Sequence, residues 1–183
     1  MDSIGVVELS SVAVGYQIED AMLKAATVEI IVARTICSGK YLIVVGGGVA
    51  DVETSVQVAL NEAEEAVIDH LVLPRVHDSV FPALGQTVML EDGSIGALGV
   101  IETFSGTSAL AVADMAAKSA QVTLIRIHVA MALGGKGLVM MTGTVADVEA
   151  AVAAGSSEAS NRGLLVARSV ISNPSSDLLV EYL

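Results

Sequence analysis

The alternation of apolar and polar residues divides this chain into short strands and amphipathic helices. Residues 4–9, Ile-Gly-Val-Val-Glu-Leu, form an apolar run of strand length. Next, Ile18, Ala21, Met22 and Ala25 recur at i, i+3, i+4 and i+7, the spacing of one face of a helix over about 14–26. Asp20 and Lys24 stand four apart on another face, where they can pair weakly. Residues 29–36 and 41–45 read as two strands joined by the turn Cys37-Ser38-Gly39-Lys40. Gly46-Gly47-Gly48 ends the second strand in a tight turn, and Val52, Val56, Ala59 and Ala63 mark a second helix over 50–66. A strand over 68–73 stops at Pro74, and 77–84 predicts a short helix.

The pattern then repeats. Gly5, Glu8, Asp20, Lys24, Ala26 and Val28 match Gly99, Glu102, Asp114, Lys118, Ala120 and Val122, each displaced by 94. Past the Cys37 turn the displacement is 96: Gly39-Lys40 matches Gly135-Lys136, and Asp51-Val52-Glu53 matches Asp147-Val148-Glu149. The second copy thus carries two extra residues in or beside the loop between its paired strands, and it closes with a strand over 164–171 and a terminal segment, 177–183. The stretch 85–94 has no apolar period and contains Glu91-Asp92-Gly93, so the boundary falls there, giving domains 1–90 and 95–183. Each copy reads β-α-β-β-α-β: an α+β fold of the split-βαβ, ferredoxin-like type, with helices on one face of an antiparallel sheet.

Composition narrows the function classes. The chain of 183 residues is 53% hydrophobic but only 3% aromatic, with a mean hydropathy of +0.69. Its cores must therefore be built from aliphatic residues and Met. Charges or glycines break every apolar stretch short of the roughly 18 residues that suggest a membrane span, and no export signal is expected at the start. A chain this apolar hides surface in an assembly, since obligate interfaces resemble a core cut in half. Two fused copies imply pseudo-symmetry, so a ring of six domains becomes a ring of three chains. The net charge of −12 argues against nucleic acid, which demands Lys/Arg patches.

Candidate chemistry is sparse. Cys37 is the one cysteine, so no intrachain disulfide can form and a reducing compartment is expected. A lone cytosolic cysteine is commonly a small buried hydrophobe. Against that, Cys37 sits on a turn beside Ser38, Gly39 and Lys40, and a threefold axis would turn one thiol into three ligands. An iron–sulfur cluster, a zinc ion and an empty pore all remain open on the residues alone. His70, His77 and His128 have no metal-type spacing and read as structural. Glu8 and Glu102 occupy equivalent strand positions, which fits a scaffold role better than acid–base work at one site. Gly46-Gly47-Gly48 lacks the phosphate-loop pattern, and its counterpart is Thr142-Gly143-Thr144.

Several of these segments resemble the bacterial microcompartment shell domain: Ile4-Gly-Val-Val-Glu, Asp20-Ala-Met-Leu-Lys-Ala-Ala, Ser38-Gly-Lys, Gly47-Gly-Val-Ala-Asp-Val and Val72-Leu-Pro-Arg-Val-His. The tandem copy resembles the trimeric, pseudohexameric members. Thr35-Ile-Cys-Ser-Gly-Lys, with Arg126-Ile-His-Val-Ala-Met and Gly134-Gly-Lys, is most similar to the propanediol-utilisation T-type iron–sulfur class. The resemblance implies a central pore lined by Ile36, Ser38 and Gly39, with Leu133, Gly134 and Gly135 of the second copy beside it. It further implies that Cys37 of each subunit holds one [4Fe–4S] cluster per trimer. Three thiolates leave one iron to water, a small thiol or a substrate. Lys24, Lys118 and Arg75 match the family's tile-edge residues, whereas Ser172-Asn-Pro-Ser stands where a second edge arginine would be usual.

The expectation is a structural shell tile, not an enzyme, passing electrons across the shell of a cytoplasmic bacterial microcompartment. Its partners would be two further copies, other shell proteins and a redox enzyme inside, with no nucleic acid and no membrane. The alternatives are a cluster-free tile whose pore conducts a small metabolite and, less well supported for want of any acid–base set or cofactor fingerprint, a small cytosolic redox enzyme.

Overall fold

The computed structural model describes residues 2–90 and 96–179. The boundary stretch 85–94 and the terminal segment 177–183 thus lie partly outside the described residues. The elements of the first copy are β1 (Ser3–Leu9), α1 (Val12–Ala25), β2 (Val28–Ile36), β3 (Lys40–Gly47), α2 (Val49–Glu62) and β4 (Val67–Leu73). A six-residue helix, α3 (Val80–Gly85), precedes the second set: β5 (Ala97–Thr103), α4 (Gly106–Ser119), β6 (Val122–Val129), β7 (Gly137–Gly143), α5 (Val145–Asn161) and β8 (Leu165–Ile171). The two sheets have the orders β2-β3-β1-β4 and β6-β7-β5-β8, antiparallel throughout. This is the split-βαβ arrangement expected from the sequence.

The duplication extends to irregularities. The β2–β3 ladder shifts register between Ile30 and Val32, and β6–β7 does so between Leu124 and Arg126. The outer ladders shift at Glu8/Leu9 and at Glu102/Thr103. Gly5 and Gly99 mark where the second helix of each copy lies against the central strand. A Cβ on Gly5 would come within 2.8 Å of Val52 and 2.7 Å of Val56, and one on Gly99 within 2.8 Å of both Val148 and Val152.

In the first copy Val7, Leu9, Tyr41, Ile43 and Val45 face both helices and meet Ile18, Met22, Val56, Ala59 and Ala63. Fully burying a side chain such as Ile18 or Met22 is worth about 1.5–3 kcal/mol. Ser11 caps α1 by accepting from the Val14 N–H, and Ser55 Oγ ties the helices together by donating to the Met22 carbonyl at 3.2 Å. Ala25, placed on the apolar face by its spacing, is exposed. One exchange separates the copies. Gly15 lies under the Tyr41 ring, whereas the second copy sets Ala109 against Gly137, so the large member has been traded for a small one.

Two compact units result. The first runs to Val76 and also includes Ala130–Gly135; the second holds His77–Val129 and the chain from Lys136. The segment from His77 to Gly85, which in sequence follows the first copy, therefore packs within the second unit. Its His77 N–H donates to Asp114 Oδ1 at 2.8 Å.

Candidate functional site

Cys37 opens a three-residue turn, Cys37–Gly39, closed by the pairing of Ile36 with Lys40. Such a short connection needs left-handed backbone, and Ser38 (φ 66°) and Gly39 (φ 72°) supply it. Nothing lies within 4 Å of a Cβ built on Gly39, so glycine is required there by conformation and not by space. Ile36 is buried, Cys37 half-buried, and Ser38 and Gly39 exposed.

The longer loop of the second copy covers this turn, and both belong to the first compact unit. Ala130, Ala132, Gly134 and Gly135 all have positive φ, from 56° to 89°. Such a run of left-handed residues turns successive N–H groups toward one point, the concavity that binds anions. The Cys37 thiol lies beside this loop and feels its N–H groups. The Gly135 N–H does most to hold the thiol below its ordinary range; partial burial opposes it, and the N–H groups of Gly134, Leu133 and Ala132 add to it. The Cys37 N–H in turn donates to the Ala130 carbonyl at 3.1 Å. Ile36, Cys37, Ser38 and Gly39 are thus brought together with Leu133, Gly134 and Gly135, as the sequence groups them. A thiolate stabilised in this way is the form that ligates metals.

Gly-Lys is common to both turns for a reason that register reveals. Lys40 Nζ donates to Glu8 Oε1 at 2.8 Å, and Lys136 Nζ to Glu102 Oε1 at 2.5 Å. Glu8 and Glu102 are thus scaffold carboxylates: Glu8 holds the lysine that starts β3, and Glu102 the lysine just before β7. Sequence reading pairs neither; the signal was available, since each of the four residues has its counterpart in the other copy.

The residues expected at tile edges stand on other elements. Lys24 stands on α1 in an exposed pair with Asp20 at 2.5 Å. Lys118 on α4 pairs with the largely buried Asp114 at 2.6 Å. Arg75 follows β4, exposed and in left-handed backbone (φ 51°). Gly46-Gly47-Gly48 has no positive φ; Gly47 lets the Thr27 carbonyl approach to 3.2 Å from a would-be Cβ. His77 Nδ1 bonds Ser79 Oγ at 2.8 Å. Among the described residues, no group of three or more His, Cys, Asp or Glu within one chain could hold a metal ion.

Sequence reading missed the tyrosine pair. Tyr41 is buried, donates from its hydroxyl to Glu19 Oε2 at 2.7 Å, and lies 4.9 Å from the ring of Tyr16. Burial first, and then the Glu19 carboxylate, keep the Tyr41 hydroxyl protonated far above the ordinary tyrosine range.

Comparison with known proteins agrees with this architecture. The BMC domain matches the chain twice, at residues 3–76 and 97–174. The bacterial microcompartment shell protein PduT of Citrobacter freundii is 41% identical over 172 residues, covering 94% of this chain and 92% of its own. The carboxysome assembly protein CcmO of Synechococcus sp. is 33% identical over 87% of this chain and 61% of its own length. A crystal structure of a microcompartment protein from Desulfitobacterium hafniense DCB superposes with a TM-score of 0.90 at 46% identity, covering 97% of this chain and 98% of that one. The fused permuted hexameric shell protein MSM0275 from the RMM microcompartment shares the fold at 19% identity, with a TM-score of 0.63 over 86% and 81% of the two chains. Two BMC domains in tandem, alike in register, bulges and glycine contacts, place the chain in the bacterial microcompartment shell-protein family.

Proposed function

We propose that three copies of this chain form a pseudohexameric shell tile whose central pore holds one [4Fe–4S] cluster through Cys37 of each copy, for electron transfer across the shell. Membership of the family makes the chain a microcompartment shell protein, located in that compartment in the cytoplasm. The cluster, the trimer and the electron transfer are this reading's own.

What supports it is a half-buried thiol on a short open turn, covered by residues 130–135, whose backbone N–H groups lower its pKa. Iron–sulfur clusters are held by thiolates, and N–H groups directed at sulfur tune their potentials. Cys37 offers both features, so the donor set fits the group. Cys37 from three chains would hold it, and when bound it supplies one-electron transfer. The chain's own part is to lower the pKa of each thiol, on a short turn whose backbone is already fixed. Ser38 and Gly39 leave that turn open to solvent.

Anaerobic reconstitution with iron and sulfide tests the reading. About one cluster per three chains, with the corresponding absorbance and EPR signals, is the expected result. Wild-type protein that binds no iron overturns it and leaves a cluster-free tile whose pore conducts a small metabolite.

A further inference from the structure

We propose that the segment after β8, Ser175–Leu179, docks on α1 and β2 of a neighbouring copy of this chain. The Ser175 N–H donates to Asp20 of the partner subunit, and Leu178 enters the apolar face beside it. The inference rests on the trimer proposed above for its neighbour, and adds the surface by which that ring closes.

The segment after β4 makes the same contact within the chain. Residues beyond α5 are displaced by 98 from their counterparts, since Leu73 and Ile171 face the equivalent Ile4 and Leu98. Ser175 and Leu178 therefore correspond to His77 and Val80, and the two segments begin alike. The Ser79 N–H donates to His77 Nδ1 at 3.3 Å, and the Asp177 N–H to Ser175 Oγ at 3.3 Å. The Val80 N–H donates to the His77 carbonyl and the Leu178 N–H to the Ser175 carbonyl, both at 3.0 Å. Their surroundings differ. His77–Gly85 packs on α4 and β6 within the second unit, where the His77 N–H donates to Asp114 Oδ1 and Val80 is wholly buried. Leu178, in the place of Val80, is 47% exposed.

The receiving face is bare on the first copy. Asp20 is the counterpart of Asp114, and its side chain is 62% exposed against 8%. Leu23 and Ile30 are exposed where their counterparts Ala117 and Leu124 are buried. An exposed apolar segment and an exposed apolar face, each the duplicate of a buried partner, thus complement one another. Residues 178–183 read Leu-Leu-Val-Glu-Tyr-Leu, apolar at five of six positions, as suits a segment that is covered by a partner. The segment after the first copy packs with the second copy. By the same step the segment after the second copy reaches a first copy, which in a closed ring belongs to the next chain. The apolar contacts carry the affinity and the Asp20 carboxylate fixes register, so a change at Lys24 leaves the ring standing.

Asp20→Cys/Ser175→Cys in a Cys37→Ser background sets two thiols within disulfide reach across this interface. Diamide oxidation of the full-length protein, read on a non-reducing gel, should link chains into bands of two and three, and either cysteine alone should give no band of three. Leu178→Asp, at a position exposed in the single chain, should raise the concentration at which the assembly dissociates by about tenfold or more in sedimentation, because a charge would then be buried; Leu178→Met should leave it unchanged. A disulfide closed within one chain overturns the docking. So does a trimeric wild type whose cysteine pair links no chains and whose Leu178→Asp variant sediments unchanged, and the trimer reading then stands without it. A monomeric wild type that links no chains overturns both. Linkage that stops at two chains, with a dimeric wild type, overturns the trimer and upholds the docking.

Discussion

Lys118 Nζ donates to Asp114 Oδ2 at 2.6 Å, while Oδ1 of the same carboxylate receives the His77 N–H at 2.8 Å. The matching lysine of the first copy, Lys24, pairs with the exposed Asp20. Two residues that look equivalent in sequence thus have different structural duties. Lys24→Glu should cost at most about 0.5 kcal/mol of stability, the worth of an exposed i,i+4 pair. Lys118→Glu should cost about 1–3 kcal/mol, because it sets a second carboxylate against one that is mostly buried and already holding His77. Urea denaturation of the two variants measures the difference. If Lys24 lies on a tile edge, its variant should also remain trimeric in sedimentation while failing to form sheets under the electron microscope. Loss of the trimer would place Lys24 on the wrong surface.

Cys37→Ser should abolish iron binding completely and leave the fold unchanged. The turn is half-exposed, serine nearly conserves volume, and its hydroxyl stays protonated near neutral pH. One substitution would remove all three protein ligands at once, so the loss is not graded. Iron analysis and sedimentation of the variant check both halves, and a wild-type species of 18.6 kDa at micromolar concentration would refute the trimer.

The pH dependence follows from two groups with opposite signs. The N–H groups over Cys37 lower its pKa, so the midpoint of its alkylation rate should fall below the ordinary thiol value of about 8.5. Its contribution to stability is present above that ordinary value and is lost as pH falls through the lowered one. Tyr41 is raised by burial and by Glu19, so its contribution is present below about 10 and is lost as pH rises beyond it. Ultraviolet titration of phenolate, with and without Tyr41→Phe, should show Tyr41 ionising only with unfolding.

Gly15→Ala should destabilise the protein by about 1–3 kcal/mol, although alanine is the better helix former. The added carbon would lie 2.4 Å from Cγ of Tyr41. That ring cannot swing aside, since its hydroxyl is bonded to Glu19 and its face meets Tyr16. Thermal unfolding decides; an unchanged or raised Tm would mean that β3 yields more readily than its packing implies.

Much of this was legible in the chain. The offsets of 94 and 96 located both copies, both helix faces and the loop that lengthens, because duplication preserves register. The end of α2 was not. Residues 63–66, Ala-Glu-Glu-Ala, have good helix propensity, yet the helix stops at Glu62 and the Ala66 N–H turns back to the Ala63 carbonyl. Pairing of Val67 with Leu9 in the next strand overrides local preference. The Glu8–Lys40 pair escaped notice for the same kind of reason: the partners are 32 residues apart, and only strand register brings them together. The residues of the Cys37 turn and its covering loop could be grouped through family likeness, but the loop's path beside the sulfur depends on positive φ at Ala130, Ala132, Gly134 and Gly135, which composition does not encode.

The first compact unit is not a continuous piece of chain: it ends at Val76 and is completed only by Ala130–Gly135. During synthesis its sheet and helices can therefore form while the thiol has nothing over it. At ribosomal rates the missing loop follows on the order of several seconds later. Until then Cys37 has the chemistry of an ordinary exposed thiol, and a fragment ending at Val76 would keep that chemistry permanently. The thiol gains the N–H groups that lower its pKa only when the second copy is well under way, so a chain truncated before the loop lacks them.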